Sequence, residues 1–161
     1  KGEYLLKLLK EGKDIALVSD SGTPGISDPG FNIVRLAIEN DISITIIPGP
    51  SAIISGLVLS GMPTDSFVFE GFLSQKPGKR RNELKILCQE KRTIVIYESP
   101  HRLLKTLKDI LDIMGDRDLA ICREVTKVFE EVIRARVSET IEHFTKNEPR
   151  GEFIIVIKGA E

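Results

Sequence analysis

The stretch SDSGTPGISDPG, residues 19–30, is dense in turn-forming residues and decides how the first part of the chain folds. It continues from the apolar run IALVS, residues 15–19, which is typical of a short buried strand. Asp28 is a good N-cap and Pro29 suits the first helical position, so we expect a helix to begin there. A second apolar run, residues 42–47, ends similarly at PGPSA, residues 48–52. Short apolar strands that alternate with helices predict a parallel sheet covered on both faces.

Composition excludes several classes of protein. The 161 residues are 41% hydrophobic, and 23 Lys+Arg nearly balance 24 Asp+Glu, which argues against disorder and against binding nucleic acid by bulk charge. No apolar run approaches the roughly 20 residues that a membrane span requires. Cys88 and Cys122 lack CxxC spacing. We therefore expect no metal, no membrane contact and a reduced, cytoplasmic setting.

The element pattern changes at GMPTD, residues 61–65. Beyond it we expect five strands, at residues 66–73, 93–97, 119–123, 129–137 and 152–157, with helices between them. The sequence therefore predicts an α/β protein of two lobes. Residues 1–64 form an N-terminal lobe with a mostly parallel sheet, and residues 65–161 form a C-terminal lobe with a mixed sheet.

Two loops at the carboxyl ends of successive predicted strands indicate a ligand site, since open α/β sheets bind ligands at that edge. Gly22 and Gly25 let the backbone approach a ligand closely. The first loop contains no Lys and lacks the G-x-G-x-x-G spacing, so it is neither a Walker loop nor a dinucleotide loop. Together with residues 48–52 it favours a pocket for a neutral or weakly charged small molecule. An ordered turn without a ligand is the alternative.

Two basic segments point to an anionic partner. In YESPHR, residues 97–102, a strand meets a helix N-terminus, and His101 and Arg102 are expected in the first helical turn. A positive charge there is unfavourable, which suggests a bound phosphate. KPGKRR, residues 76–81, is a second basic cluster. Solvated surface charges are the alternative for both segments.

These motifs, with IIPGPSA, FEGFL, REVTK and FEE, resemble one family in the same order along nearly the whole chain. The sequence is similar to the ribosomal RNA small subunit methyltransferase I branch of the tetrapyrrole (corrin/porphyrin) methylase superfamily. The resemblance implies two α/β lobes with S-adenosylmethionine in the cleft between them and a homodimer. It implies methylation of the ribose 2′-hydroxyl of a cytidine in small-subunit (16S) ribosomal RNA. Family members begin with several tens of residues that this chain lacks, so we expect activity from a longer parent protein.

The resemblance also assigns residues to the site. Cofactor binding is expected from the first loop, the second turn and two strand ends of the second lobe: Gly22, Thr23, Pro24, Gly25, Ile26, Ser51, Ala52, Tyr97, Glu98, Arg123 and Glu124. RNA binding is expected from the basic segments: Lys79, Arg80, Arg81, His101 and Arg102.

Methyl transfer depends mainly on proximity and orientation, although the hydroxyl must also lose a proton. Glu98 and His101 are the candidate general bases because they lie at the predicted cleft edge, and Asp20 is a weaker third. Two alternatives stay open: a tetrapyrrole C-methyltransferase, which would not need YESPHR or the basic run, and a non-catalytic RNA-binding module.

Overall fold

The computed structural model describes residues 1–20 and 22–161, which divide into two compact units, residues 1–51 and 52–161. Ser21, within the first loop, lies outside the described residues. Among the described residues, no helix is long and apolar enough to cross a membrane. Each unit is described by itself below.

The described residues of the first unit, 1–20 and 22–51, include two helices that pack against each other, α1 (Gly2–Lys10) and α2 (Phe31–Glu39). Residues 15–19 and 42–47 were expected to be strands, but neither forms one. A strand needs a hydrogen-bonded neighbour, and within residues 1–20 and 22–51 the structure pairs no strand with either run. Their apolar side chains are correspondingly exposed, with Val18 at 82% and Ile47 at 85%. A mostly parallel sheet in the first lobe is therefore not confirmed.

Helix α2 begins later than the sequence predicted. Gly30, not Asp28, is its N-cap, with a φ of 155°. A Cβ on Gly30 would lie 2.8 Å from the side chain of Leu17, so this position suits only a glycine. The prediction that Asp28 caps the helix and that Pro29 is its first residue was therefore wrong, since the helix begins at Phe31, after Gly30.

The second unit contains four helices and five strands whose existence the sequence predicted. In chain order they are α3 (Ala52–Ser60), β1 (Phe67–Phe72), α4 (Pro77–Leu87), β2 (Thr93–Glu98), α5 (Leu103–Met114), β3 (Asp118–Arg123), β4 (Glu131–Arg136), α6 (Val137–Lys146) and β5 (Phe153–Ile157). The sheet order is β1-β2-β5-β3-β4, with β1 and β2 parallel and the other neighbours antiparallel. The prediction of a mixed sheet is confirmed.

The sheet carries helices on both faces. One face, under α4, α5 and α6, contains the larger core, including Leu84, Leu107 and Phe144. The other face packs against α3, whose Leu57 contacts a second core that includes Val95 and Val156. Because β5 lies at the centre of the sheet, all five of its residues are buried.

Helix α3 belongs to the second unit. It packs on β3, β4 and β5, and Gly56 allows the close approach: a Cβ there would lie 2.9 Å from two side-chain carbons of Ile154. The compact units consequently divide between Ser51 and Ala52, whereas the sequence placed the lobe boundary between residues 64 and 65.

Strand β1 contains a β-bulge. Phe69 pairs with Val95 and Gly71 pairs with the next residue of β2, Ile96, so Glu70 is the extra residue. Gly71 has a φ of 71°, a conformation that glycine adopts readily. The bulge shifts the alternation of side chains, and Phe69 and Phe72 therefore both contact the ring of Tyr97.

Candidate functional site

The loop of residues 22–30 and the turn of residues 48–50 lie against each other within the first unit. A Cβ on Gly22 would lie 3.5 Å from the carbonyl oxygen of Pro50. A Cβ on Gly49 would lie 3.5 Å from the carbonyl oxygen of Gly22 and 3.7 Å from Thr23 Oγ1. The backbones of the loop and of the turn therefore approach each other closely. The structure therefore brings together the two segments that the sequence assigned to cofactor binding.

Glycine conformation leaves room for a ligand on this loop. Gly22 and Gly25 have φ values of 73° and 85°, which side-chain-bearing residues rarely adopt. A Cβ on Gly25 would meet no atom within 4 Å, so open space borders the backbone there. Ile26 is half exposed, and Thr23 and Pro24 are partly buried. A neutral surface of backbone and small side chains fits an adenosyl group, and these residues could hold S-adenosylmethionine.

The second unit places four of the expected cofactor residues at one edge of its sheet. Glu98 pairs with Phe153 across β2 and β5, and Phe153 pairs with Arg123 across β5 and β3. Tyr97 and Glu98 therefore lie at the same end of the strands as Arg123 and Glu124. Tyr97 is half-buried, and its ring lies 5.0 Å from that of Phe69 and 5.5 Å from that of Phe72.

Glu98 is enclosed by its own unit. It is 1% exposed, and its carboxylate accepts hydrogen bonds from Thr106 Oγ1 at 2.6 Å and from the backbone N–H of Ser99 at 2.8 Å. Arg102 Nε lies 3.3 Å from Glu98 Oε1. A carboxylate with these partners is held in place rather than presented to a substrate.

Arg102 is the N-cap of α5, which begins at Leu103, so neither His101 nor Arg102 lies in the first helical turn as predicted. Residues 99–102 form a separate turn, in which the Ser99 carbonyl accepts from the N–H groups of Arg102 and Leu103. The Arg102 side chain folds back and donates from Nη2 to the carbonyl oxygens of Leu73 at 2.6 Å and Ser74 at 3.3 Å. The charge of Arg102 is therefore paired with the Glu98 carboxylate and hydrogen-bonded to two carbonyl oxygens, so a bound phosphate is not required to explain it.

Arg80 and Arg81 connect α4 to α5. Arg80 is 5% exposed and donates from Nε to Asp109 Oδ2 at 2.7 Å. Arg81 donates to Asp109 Oδ1 at 2.8 Å and pairs with Asp112. Both guanidinium groups thus neutralise carboxylates of the same protein.

The other two expected RNA-binding residues project into solvent. His101 is exposed, and the Lys79 side chain is 71% exposed, with Nζ 3.9 Å from Glu83 Oε1. Lys79 lies in the first turns of α4, and the loop before α4 is held by the bond from the Ser74 N–H to Glu83 Oε2 at 2.8 Å. The side chains of Lys79 and His101 therefore remain accessible at the surface, where each can donate a hydrogen bond to a ligand.

Arg123 and Glu124 are engaged in local contacts. Arg123 Nε donates to the Arg150 carbonyl at 2.6 Å. Glu124 accepts from the Glu152 N–H at 2.8 Å and from Lys127 Nζ at 3.1 Å. The backbone bond from Glu152, followed by the Lys127 contact, lowers the pKa of Glu124. A Cβ on Gly151 would lie 2.5 Å from Glu124 Cγ, so this carboxylate is tightly packed.

Sequence reasoning missed the partners of these charged groups. Asp109, Asp112 and Thr106 lie on α5, and their pairing follows from the packing of α4 and β2 against that helix. Their spacing along α5, at positions 106, 109 and 112, would have indicated a shared face. Within residues 1–20 and 22–161, no group of three His, Cys, Asp or Glu residues is arranged to hold a metal ion.

Solved structures share this fold. The methyltransferase CobJ superposes with a TM-score of 0.70 at 18% identity, over 99% of this chain and 70% of that one. Uroporphyrin-III C-methyl transferase from Thermus thermophilus, complexed with S-adenyl homocysteine, superposes with a TM-score of 0.63 at 18% identity, over 97% of this chain and 72% of that one. At such identities the likeness concerns the fold and not the substrate.

The sequence profile of the Tetrapyrrole (Corrin/Porphyrin) Methylases matches residues 1–141, and the chain belongs to that family. S-adenyl homocysteine is what S-adenosylmethionine becomes after giving up its methyl group, so S-adenosylmethionine is confirmed as the cofactor of the family's methyltransferases.

Similar proteins within the family are named ribosomal RNA small subunit methyltransferase I, and the predicted resemblance is confirmed. The protein of that name from Thermotoga maritima is 52% identical over 157 residues, which cover 98% of this chain and 70% of that protein. Those from Synechocystis sp. and Escherichia coli O157:H7 are 51% and 44% identical, over 98% and 99% of this chain and 57% of each relative. The chain therefore spans little more than half the length of most of these relatives.

Proposed function

We propose that the protein to which this chain belongs transfers a methyl group from S-adenosylmethionine to the 2′-hydroxyl of a cytidine ribose in 16S ribosomal RNA. The observation that carries the proposal is the match to proteins named ribosomal RNA small subunit methyltransferase I at 42–52% identity over about 98% of the chain. Such a protein works in the cytoplasm, where ribosomal RNA is its partner, and as a homodimer.

The cofactor is proposed to bind to the first unit through residues 22–26 and Ser51, with Ala52 at the start of α3. The backbone contact between Gly22 and Pro50 supports this assignment, since it joins the loop and the turn into one neutral surface. When bound, S-adenosylmethionine supplies an electrophilic methyl group on a sulfonium. The glycines of the loop allow the backbone to approach the ligand, and the stiff Pro24 and Pro48 limit the motion of the loop.

Tyr97 is proposed as a cofactor contact because the family resemblance implies it, and its ring is held by Phe69 and Phe72. Glu98, Arg123 and Glu124 are proposed to support this edge of the sheet, since their charged groups are occupied by Thr106, Arg150 and Glu152. His101 is the remaining candidate for a general base, because it is exposed on the turn beside Glu98.

RNA binding is proposed to begin at Lys79 and His101, the exposed ones among the five residues predicted to bind RNA. Arg80, Arg81 and Arg102 contribute through the placement of these two residues, since their own charges are paired. Phosphate contacts from Lys79 would be salt-sensitive and weakly sequence-selective.

The proposed activity is tested with the full-length parent protein, labelled S-adenosylmethionine and small ribosomal subunits from cells that lack the enzyme. Label is expected at one cytidine, and resistance of that position to alkaline cleavage would identify the 2′-oxygen as the acceptor. Label in a tetrapyrrole instead of RNA would contradict the proposal, as would calorimetry showing that the parent binds RNA but not S-adenosylmethionine.

The RNA surface is tested by Lys79→Ala in the same protein, with Lys146→Ala as the matched control. Both lysines are exposed on helices, at 71% and 69%, and both pair with a glutamate four residues away. Lys79→Ala is expected to weaken RNA binding and to reduce the slope of log K against log salt by about 1. Equal effects of the two substitutions would contradict the assignment of RNA to this surface.

A further inference from the structure

We propose that Arg102 is a positioning residue that fixes the β2–α5 turn, with His101, relative to the β1–α4 loop, which leads into the helix carrying Lys79. This inference rests on the proposed function, since it concerns how the two exposed RNA-contacting residues are held apart at a set distance. We call the group formed by Arg102, Glu98 and the carbonyls of Leu73 and Ser74 the arginine latch.

The latch joins the carboxyl ends of the two parallel strands. Because β1 and β2 are parallel and adjacent, the segments that follow them leave the sheet at the same edge. Residues 73–76 connect β1 to α4, and residues 99–102 connect β2 to α5. Backbone pairing ends at Phe72 and Tyr97, so beyond these residues side chains must fix the spacing of the two segments.

Arg102 spans that gap from one segment to the other. Its Nη2 donates to the carbonyl oxygens of Leu73 and Ser74, 29 and 28 residues earlier in the chain. On its own side, the buried Glu98 carboxylate lies 3.3 Å from Arg102 Nε. That nitrogen is buried and has no hydrogen-bond partner among the described residues, so the ion pair holds it without a well-aligned bond.

Both ends of the latch are anchored. Glu98 is fixed by Thr106 Oγ1, one turn into α5, and by the Ser99 N–H. Ser74 is fixed by the bond from its N–H to Glu83 Oε2 of α4, and its hydroxyl accepts from the Lys76 N–H at 3.3 Å. A shift of Arg102 would therefore be transmitted to the N-cap of α4 at Lys76, to its second turn at Glu83, and to the turn that contains His101.

Arginine suits this role and lysine does not. The planar guanidinium presents several donors in fixed directions, so one group can bind carbonyls on one side and a carboxylate on the other. A lysine could keep the ion pair with Glu98 but would lose the rigid bridge to Leu73 and Ser74. Arg102→Lys is therefore expected to give a partial rescue relative to Arg102→Ala.

The first test is amide hydrogen exchange and requires no knowledge of the reaction. In the 161-residue chain, Arg102→Ala is expected to accelerate exchange at Ser74, Lys76, Arg102 and Leu103, whose N–H groups are bonded in the wild-type chain. Arg117→Ala is the matched control, because Arg117 also donates to three backbone carbonyls of this unit, those of Met114, Cys88 and Lys158. Equal acceleration at these amides in both variants would overturn the latch.

The second test uses the full-length parent and separates positioning from stability. Arg102→Ala is expected to raise the KM for RNA about tenfold or more, since a misplacement of 1 Å can cost about 100-fold, while S-adenosylmethionine affinity stays unchanged. Arg102→Lys should recover part of the loss, and Arg117→Ala should lower Tm without changing the KM for RNA. An Arg102→Ala enzyme with a lowered Tm and an unchanged KM would overturn the positioning role. If the wild-type parent does not methylate RNA, the proposed function fails and the exchange test alone decides the latch.

Discussion

Two neighbouring arginines of α4 differ in their burial and therefore in their expected contribution to stability. Arg80 is almost fully buried against Asp109, so Arg80→Ala would leave a poorly compensated carboxylate and is expected to cost about 3 kcal/mol of unfolding free energy. Arg81 is partly exposed, and Arg81→Ala is expected to cost at most about 1 kcal/mol. Urea denaturation of both variants measures the difference, and equal losses would contradict the burial argument.

The cofactor loop gives a second prediction at the residue scale. Thr23→Arg would place a long charged side chain where Thr23 Oγ1 now borders the turn at Gly49, and S-adenosylmethionine binding by the parent is expected to be lost. Thr64→Arg, in the exposed loop before β1, is the control and should bind normally. Calorimetry measures both affinities. Normal binding by Thr23→Arg would place the cofactor elsewhere.

At the scale of elements, the contact between α3 and the sheet depends on the missing side chain of Gly56. Gly56→Ala would gain helix propensity, but its Cβ would lie 2.9 Å from the stiff side chain of Ile154, and a net loss of about 1–3 kcal/mol is expected. Gly78→Ala on α4 is the matched change, since a Cβ there meets nothing within 4 Å, and a gain of up to about 1 kcal/mol is expected. Thermal unfolding compares them. A stabilised Gly56→Ala would show that α3 can move away from the sheet.

Elements of the second unit could be predicted from sequence because their patterns are local. The apolar stripe from Leu103 to Met114 fixes α5, and the apolar run from Phe153 to Ile157 fixes the central strand β5. The runs at residues 15–19 and 42–47 have a similar composition, yet strand formation also depends on a neighbour that composition does not reveal. Local periodicity therefore predicts which segments are apolar but not whether a partner strand is present.

The candidate site consists of turn-rich segments and of charged residues, and sequence could predict the first better than the second. Turn-forming residues located the loop and the turn of the first unit, because glycine and proline act through their own backbone. The roles of Arg80, Arg81 and Arg102 could not be read from their charges, since Asp109 and the Leu73 carbonyl come from distant positions in the chain. Long-range pairing decides whether a basic run is a surface for a ligand or part of the packing.

At the scale of the whole molecule, the buried thiol of Cys122 makes stability depend on pH. Burial raises the pKa of Cys122 from 9.0 to about 11. The folded thiol therefore stays protonated in a range where the unfolded thiol ionises. This contribution to stability is complete below about pH 9 and is lost as pH rises to about 11, a change of about 3 kcal/mol. Urea unfolding across this range should show the loss, and Cys122→Ala should show a shallower dependence on pH. Identical slopes would contradict the assignment to Cys122.

The two units are expected to differ in local stability. Residues 15–19 and 42–47 form no strand, whereas every residue of β5 is buried and paired on both sides. Amide hydrogens of the two runs are therefore expected to exchange by local opening, and those of β5 only by global unfolding. Exchange followed by NMR in this chain measures both. Protection of residues 42–47 equal to that of β5 would contradict this expectation.

The bulge places at Glu70 a residue that the pairing of β1 with β2 does not require. Glu70 is exposed, so most substitutions there should be tolerated. Deletion of Glu70 would join Phe69 directly to Gly71, and these two residues already pair with the consecutive residues Val95 and Ile96 of β2. Phe72 would therefore stay opposite Tyr97 in a regular strand. A deep mutational scan that includes single-residue deletions should therefore find this position permissive to replacement, and more tolerant of removal than Val95, whose loss would turn over the residues that follow it in β2. Alignments of relatives should likewise allow variation or a gap at Glu70 but no gap within β2.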